Sequence, residues 1–196
     1  MFRFMILVAS SLELSAAFQF TDCSSDPSYA ALTVHQLDLS PFLITFPGDL
    51  HMTLNLTINK PINILFVDSE LEKNTLGIWT KVPCFVNFGS CQNVDFCTIL
   101  DKIQNGSSVL SKEFGEQIGV MLLSGLGPRV RCPIQPENLY INDYIIRLQP
   151  LSVHLSLILK GNYRIRISVK DDPTVRDNIG CIKFQAKMGV PTPGVG

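Results

Sequence analysis

The stretch NYRIRISVK, from Asn162 to Lys170, alternates without a fault: Tyr163, Ile165, Ile167 and Val169 fall on one side, and Arg164, Arg166, Ser168 and Lys170 on the other. A period of two belongs to a strand, and a strand apolar on a single face needs a sheet with one side on a core and the other in water. Upstream, HMTLNLTI (His51 to Ile58) repeats the pattern, with Met52, Leu54, Leu56 and Ile58 opposed to His51, Thr53, Asn55 and Thr57. Downstream, CIKFQAKM sets Ile182, Phe184, Ala186 and Met188 against Lys183, Gln185 and Lys187. The intervening DDPTVRDN supplies turn chemistry for a hairpin-like return. Further strands are predicted over 29–37, 42–46, 62–70 and 139–148, and one short helix near 94–103, where Phe96, Leu100 and Ile103 share a face. Residues 105–135, rich in glycine and serine early on, read as a long loop or flap, and the tail GVPTPGVG as loose chain. The sum is an all-β domain of two sheets, each apolar on one face.

The compartment is written at the start of the chain. A short basic opening, MFR, precedes the apolar FMILV and then the small residues of LSAAF, the pattern of a secretory signal peptide over 1–17. The expected mature domain is 18–188, followed by a flexible tail over 189–196. No later apolar run approaches the length of a membrane span. Beyond the leader stand Cys23, Cys84, Cys91, Cys97, Cys132 and Cys181, an even set that reads as three disulfides in an oxidising compartment. The sequons at Asn55 and Asn105 fit the same route, with Asn55 on the polar side of its strand. Zinc is the rival use of cysteine, but His35, His51 and His154 are all remote from cysteines at ligand spacing. No metal and no other cofactor is expected.

A formal net charge of −1 and the lack of a polybasic run argue against a nucleic-acid partner. No nucleophile elbow, phosphate-cradling loop or HExxH is present. SGLG at 124–127 reads as a flexible glycine pair, and Asp171 and Asp172 beside Pro173 read as turn residues. No catalytic residue is assigned. Arg164, Arg166, Lys170, Lys183 and Lys187 occupy polar positions of two strands expected to be neighbours, which predicts a basic exterior.

Three blocks carry a resemblance: FQFTDC at 18–23, LGIWTKVPCFVNFGSCQNVDFC at 76–97, and GNYRIRISVKDDPTVRDNIGCIKFQAKM at 161–188. Together they resemble the GM2-activator family of the MD-2-related lipid-recognition (ML) group, with CPIQ at 132–135 fitting the wider group. The specific part is the cysteine-anchored G-x-W-x-K-x-P-C. The resemblance implies pairing of Cys23 with Cys181, Cys84 with Cys91, and Cys97 with Cys132. Members carry a fourth bridge, both of whose cysteines are absent here.

The resemblance also implies an immunoglobulin-like cup, two sheets parted around an apolar cavity for lipid. Strand periodicity is the same for a filled sandwich and a hollow cup. Cavity candidates are Met52, Leu54, Leu56, Ile58, Tyr163, Ile165, Ile167, Ile182 and Phe184. Leu76, Ile78 and Trp79 match a rim loop that meets the membrane, and Leu157 stands where relatives have a second rim tryptophan. The implied function is non-catalytic: a secreted or lysosomal protein that extracts glycolipid of ganglioside type from a membrane surface and presents it to a lysosomal hexosaminidase. The alternatives are a sterol or other lipid carrier of the same fold, or an adhesion or receptor-accessory domain with no cavity.

Overall fold

A computed structural model describes residues 18–84, 89–104, 117, 120–122, 124–127, 131–150 and 159–189. Two sheets form the domain. The central strand of the larger is β9 (Gly161–Lys170), flanked by β10 (Gly180–Gly189) and β5 (Phe66–Thr75). Outside these lie β1 (Phe20–Asp22) on β10 and β6 (Ile78–Lys81) on β5. The short β3 (Leu43–Thr45) runs parallel to β10, and β7 (Val94–Asp95) pairs with β5. The smaller sheet is β2 (Leu32–Ser40), β4 (Gly48–Ile58) and β8 (Glu137–Leu148), all antiparallel.

The alternating segments sit where their period puts them, and the register fixes each face. Ile165 lies opposite Phe184 on β10 and Leu71 on β5, while Arg166 lies opposite Lys183 and Glu70. On the small sheet Leu54 is flanked by Leu37 and Ile141. The turn at 171–178 is held by Asp172, whose Oδ1 accepts from the Thr174 backbone N–H (2.8 Å) and hydroxyl (2.6 Å). These bonds hold the Asp172 carboxyl below the usual carboxylate range, the hydroxyl's first.

Three elements depart from the sequence reading. Residue 62 does not begin β5; Ile62 exchanges both backbone hydrogen bonds with Ile134, each 2.9 Å, pinning the chain after Cys132 to the domain. The glycine-containing segment after Asn74 is a hairpin rather than a loop. Leu76 (φ 53°) and Gly77 (φ 87°) form its two-residue tip, and Asn74 Oδ1 accepts from the Gly77 N–H at 2.9 Å. Positive φ at both tip residues matches the right-handed twist of the flanking strands. Within 105–135, read as a flap, residues 117, 120–122 and 124–126 are helical, and Met121 is buried against Leu139 and Ile141 of β8. Glycines in that stretch suggested a loop, but tertiary packing of Met121, Leu122 and Leu126 outweighs their weak helix propensity.

The predicted helix is α1 (Phe96–Gln104). Asp95 caps it, accepting from Thr98 N–H (3.0 Å) and from the Thr98 hydroxyl (2.7 Å). The core has two parts. One gathers Ala31, Ile58, Ile62, Leu65 and Ile134 around Leu100 of α1; the other gathers Ile44, Met121, Ile146, Leu148 and Ala186. The two sheets approach along one seam, where β2 meets β10 and β3 leads through Pro47 into β4. There the N–H groups of Ala31 and Leu32 both donate to Ile179 C=O (2.8 and 3.1 Å).

Candidate functional site

The facing inner sides of the sheets are apolar, and the cavity candidates lie on them. Met52, Leu54 and Leu56 are half-buried on the small sheet, and Ile58 is fully buried at its end. On the large sheet Ile165, Ile167, Ile182 and Phe184 are half-buried. Tyr163 is an exception at 1% exposure, its hydroxyl donating to Leu159 C=O at 3.0 Å. Burial pushes that phenol's pKa up, so it stays a hydrogen-bond donor. The structure adds to these faces residues that the sequence reading did not single out. Leu139 and Ile146 contribute from β8, and Phe18 packs on Phe184 with ring centroids 5.4 Å apart. Period-two alternation in β8 is broken by a bulge opposite Thr53, with Asp143 at φ 48°, so no single parity runs through that strand.

At the open end of the large sheet the β5–β6 hairpin projects bare apolar side chains. Leu76 is 99% exposed and Ile78 67%. Trp79 takes the other face of β6. Its register partner is Asn74, and its ring lies beneath the Arg164 guanidinium, 3.9 Å from centroid to Cζ. It is thus on the outer side of the large sheet, neither at the tip nor in the core. Leu157 lies outside the described residues.

The outer side of the large sheet corrects the expected basic exterior. Arg164, Lys183 and Lys187 are exposed, but Arg166 and Lys170 are half-buried. Strand β5 places Asp68, Glu70 and Glu72 on the same side, in register with Ser168, Arg166 and Arg164. Lys170 pairs with Asp68 at 2.6 Å, and Lys81 pairs with Glu70. The hydrogen bond that Lys81 donates to the Glu70 carboxylate raises the Lys81 pKa. The face is a mixed-charge lattice because β5 is its neighbour, and only the pairing of distant segments reveals that.

Cysteine pairing follows the resemblance: Cys23–Cys181, Cys84–Cys91 and Cys97–Cys132. Such a set forms in an oxidising, extracellular or lumenal compartment. Among the described residues no helix is long and apolar enough to cross a membrane, and no cluster of His, Cys, Asp or Glu could hold a metal ion. Asn55 stands on the polar side of β4 between Gln36 and Tyr140. Asn105 and His154 lie outside the described residues.

The molecule is therefore an all-β, disulfide-stapled protein whose two sheets present half-buried apolar faces to each other. The chain is similar over nearly its whole length to ganglioside GM2 activators. It is 27% identical over 186 residues to that of Macaca fascicularis, covering 90% of this chain and 86% of the relative. It is 26% identical over 184 residues to that of Mus musculus, covering 93% and 87%. No family model matches the chain. Among solved structures, a Niemann-Pick type C2 protein from Japanese carpenter ant superposes with a TM-score of 0.41 at 14% identity, over 87% of this chain and 99% of that one. Chicken MD-1 complexed with lipid IVa gives 0.37 at 14% identity, over 87% and 88%. Both superpositions are too loose to add to the fold fixed by strand register.

Proposed function

We propose that this chain is a non-catalytic lipid-binding and transfer protein that lifts a glycolipid from a membrane surface, holds its acyl chains between the sheets and offers its headgroup to a soluble hexosaminidase. The observation that carries the reading is the partial exposure of apolar residues on both inner faces. In a close-packed sandwich, side chains such as Leu56 and Ile165 would be sealed by the opposite sheet. Here Leu56 and Ile165 touch a core cluster drawn from both sheets yet keep accessible surface.

The physics suits the task. Drawing an acyl chain of about eighteen carbons into water costs about 14 kcal/mol, at roughly 0.8 kcal/mol per methylene. An apolar interior nearly cancels that cost, leaving the polar headgroup at the rim. The exposed Leu76 and Ile78 supply contact with the bilayer. The similarity to ganglioside GM2 activators supports both the glycolipid class and a helper role for a glycosidase.

The test is native mass spectrometry of the purified protein with identification of the bound material, followed by uptake of a fluorescent ganglioside. Bound glycolipid, and stimulation of hexosaminidase on membrane-embedded ganglioside, are expected. Leu56→Phe and Ile165→Phe should reduce uptake more than stability. A sterol as bound material would assign the sterol-carrier reading. A folded, lipid-free protein unable to take up the probe would assign the adhesion reading.

A further inference from the structure

On the outer side of the large sheet, away from the apolar interior, a polar cavity of about 330 Å³ lies beneath the β9–β10 connection. Its lining includes four cations, Lys81, Arg166, Lys170 and Arg176, against two carboxylates, Asp68 and Glu70. Both carboxylates are already engaged. Asp68 accepts from Lys170 through Oδ2 (2.6 Å) and from the Asn93 N–H through Oδ1 (2.7 Å), and Glu70 holds Lys81. Arg166 and Arg176 form no ion pair among the described residues. Arg166 is oriented by its Nε, which donates to the Cys181 sulfur at 3.5 Å and leaves both terminal nitrogens for another partner. Beside it, Ser168 is only 7% exposed, yet its hydroxyl makes no hydrogen bond among the described residues. Asn178, also buried, is locked to Ser25 by three hydrogen bonds of 3.1 to 3.2 Å, which fixes the floor of the cavity.

We propose that this cavity binds the phosphate monoester of a sugar or polyol, its oxyanion held by Arg166, Arg176 and the Ser168 hydroxyl. Two unpaired guanidiniums and a donor hydroxyl match a tetrahedral oxyanion, which accepts several charge-assisted hydrogen bonds at once. The size suits a small ligand rather than a chain. A second cleft of about 630 Å³ adjoins the first, sharing Glu70 and Arg166 and extending to Glu72, Gln185 and Gln19. Its carboxylate and amide groups suit the hydroxyls of the ester's polyol. The oxyanion pocket shares no lining residue with the apolar inner faces, although the second cleft also touches Ile165 and Phe184, so phosphate binding is read independently of lipid uptake.

The experiment is calorimetry and amide chemical-shift mapping of the intact protein with inorganic phosphate, glucose 6-phosphate and glucose. Glucose 6-phosphate should bind more tightly than either of the others and shift the amides of Ser168, Arg176 and Asn178. Losing one charge-assisted hydrogen bond weakens binding about tenfold, the effect expected for Arg176→Gln and for Ser168→Ala. Arg176 is exposed in a connection, so its variant tests the site without risk to the fold. Vesicles containing phosphatidylinositol 4-phosphate, compared with plain phosphatidylinositol, separate the two sources of the chemistry. Binding of the soluble ester points to a free sugar phosphate, and binding confined to the phosphorylated vesicles and lost in Arg176→Gln places the same oxyanion on a lipid. Shifts unaffected by Arg176→Gln, glucose binding as well as its phosphate, or no binding in either arm would overturn the proposal.

Discussion

Leu76 and Trp79, three positions apart, show how strongly a single turn divides roles. Leu76 is a fully exposed apolar residue in left-handed backbone, an arrangement that costs on the order of 1 kcal/mol or more in a non-glycine residue. Leu76→Gly should therefore raise the thermal midpoint slightly while weakening association with anionic vesicles, measured by flotation. A loss of both stability and binding would mean that Leu76 packs in the free protein. Trp79 is the only tryptophan, so its emission reports on the outer face alone. Arg164→Gln should alter that emission, and Trp79→Ala should cost only about 0.5 to 2 kcal/mol, the range of a cation–π contact. Asp95 offers a pH test. The hydrogen bonds from Thr98, its backbone N–H first, depress the carboxyl's pKa from 3.8. A depressed carboxylate stabilises the fold above the unfolded value, and its contribution is lost as pH falls through the folded one. Asp95→Ala should cost about 1 kcal/mol at pH 5 to 7, as for other helix caps. In acid denaturation the gap between the variant and the parent should close at pH values below 3.8.

At the scale of elements, the edge of the small sheet is managed by one side chain. Gln117 donates from Nε2 to Arg147 C=O (3.0 Å) and accepts at Oε1 from Arg147 N–H (2.7 Å), standing in for one residue of a missing strand. Its own carbonyl accepts from the Tyr144 hydroxyl at 3.0 Å. Gln117→Ala should lower stability by about 1 kcal/mol. It should also increase aggregation, followed by light scattering, because an open strand edge is a template for pairing. Gln117→Glu retains the acceptor but loses the donor, so it should fall between the two. The pairing of β5 with β9 is the other decisive element. It sets Glu70 beside Arg166 and Glu72 beside Arg164, turning a stripe of bases into a lattice that leaves only some cations free.

For the whole molecule the Cys23–Cys181 bridge matters most, because it joins residues 158 apart and ties β1 to β10. Closing so long a loop removes unfolded-chain entropy worth about 5 kcal/mol. The double variant Cys23→Ser with Cys181→Ser should lose a comparable amount in denaturant titration, whereas opening the short Cys84–Cys91 loop should cost less. Bound lipid adds to stability in proportion to RT ln(1 + [L]/Kd), so delipidated protein should melt at a lower temperature than loaded protein.

The sequence by itself determined the local structure. Alternation in 51–58, 162–170 and 181–188 placed three strands and their apolar sides, because a strand's period is a property of the backbone. An even number of cysteines pointed to disulfides, and the cysteine-anchored motif pointed to their pairing. Tertiary structure decided the rest. That Trp79 lies under Arg164, that acids of β5 face bases of β9, and that 120–122 and 124–126 are helical all depend on which distant segments meet. Periodicity says which side of a strand is apolar. Whether the opposite sheet closes onto that side or stands away from it is set by the seam along β2, β3 and β10, which no stretch of sequence contains alone.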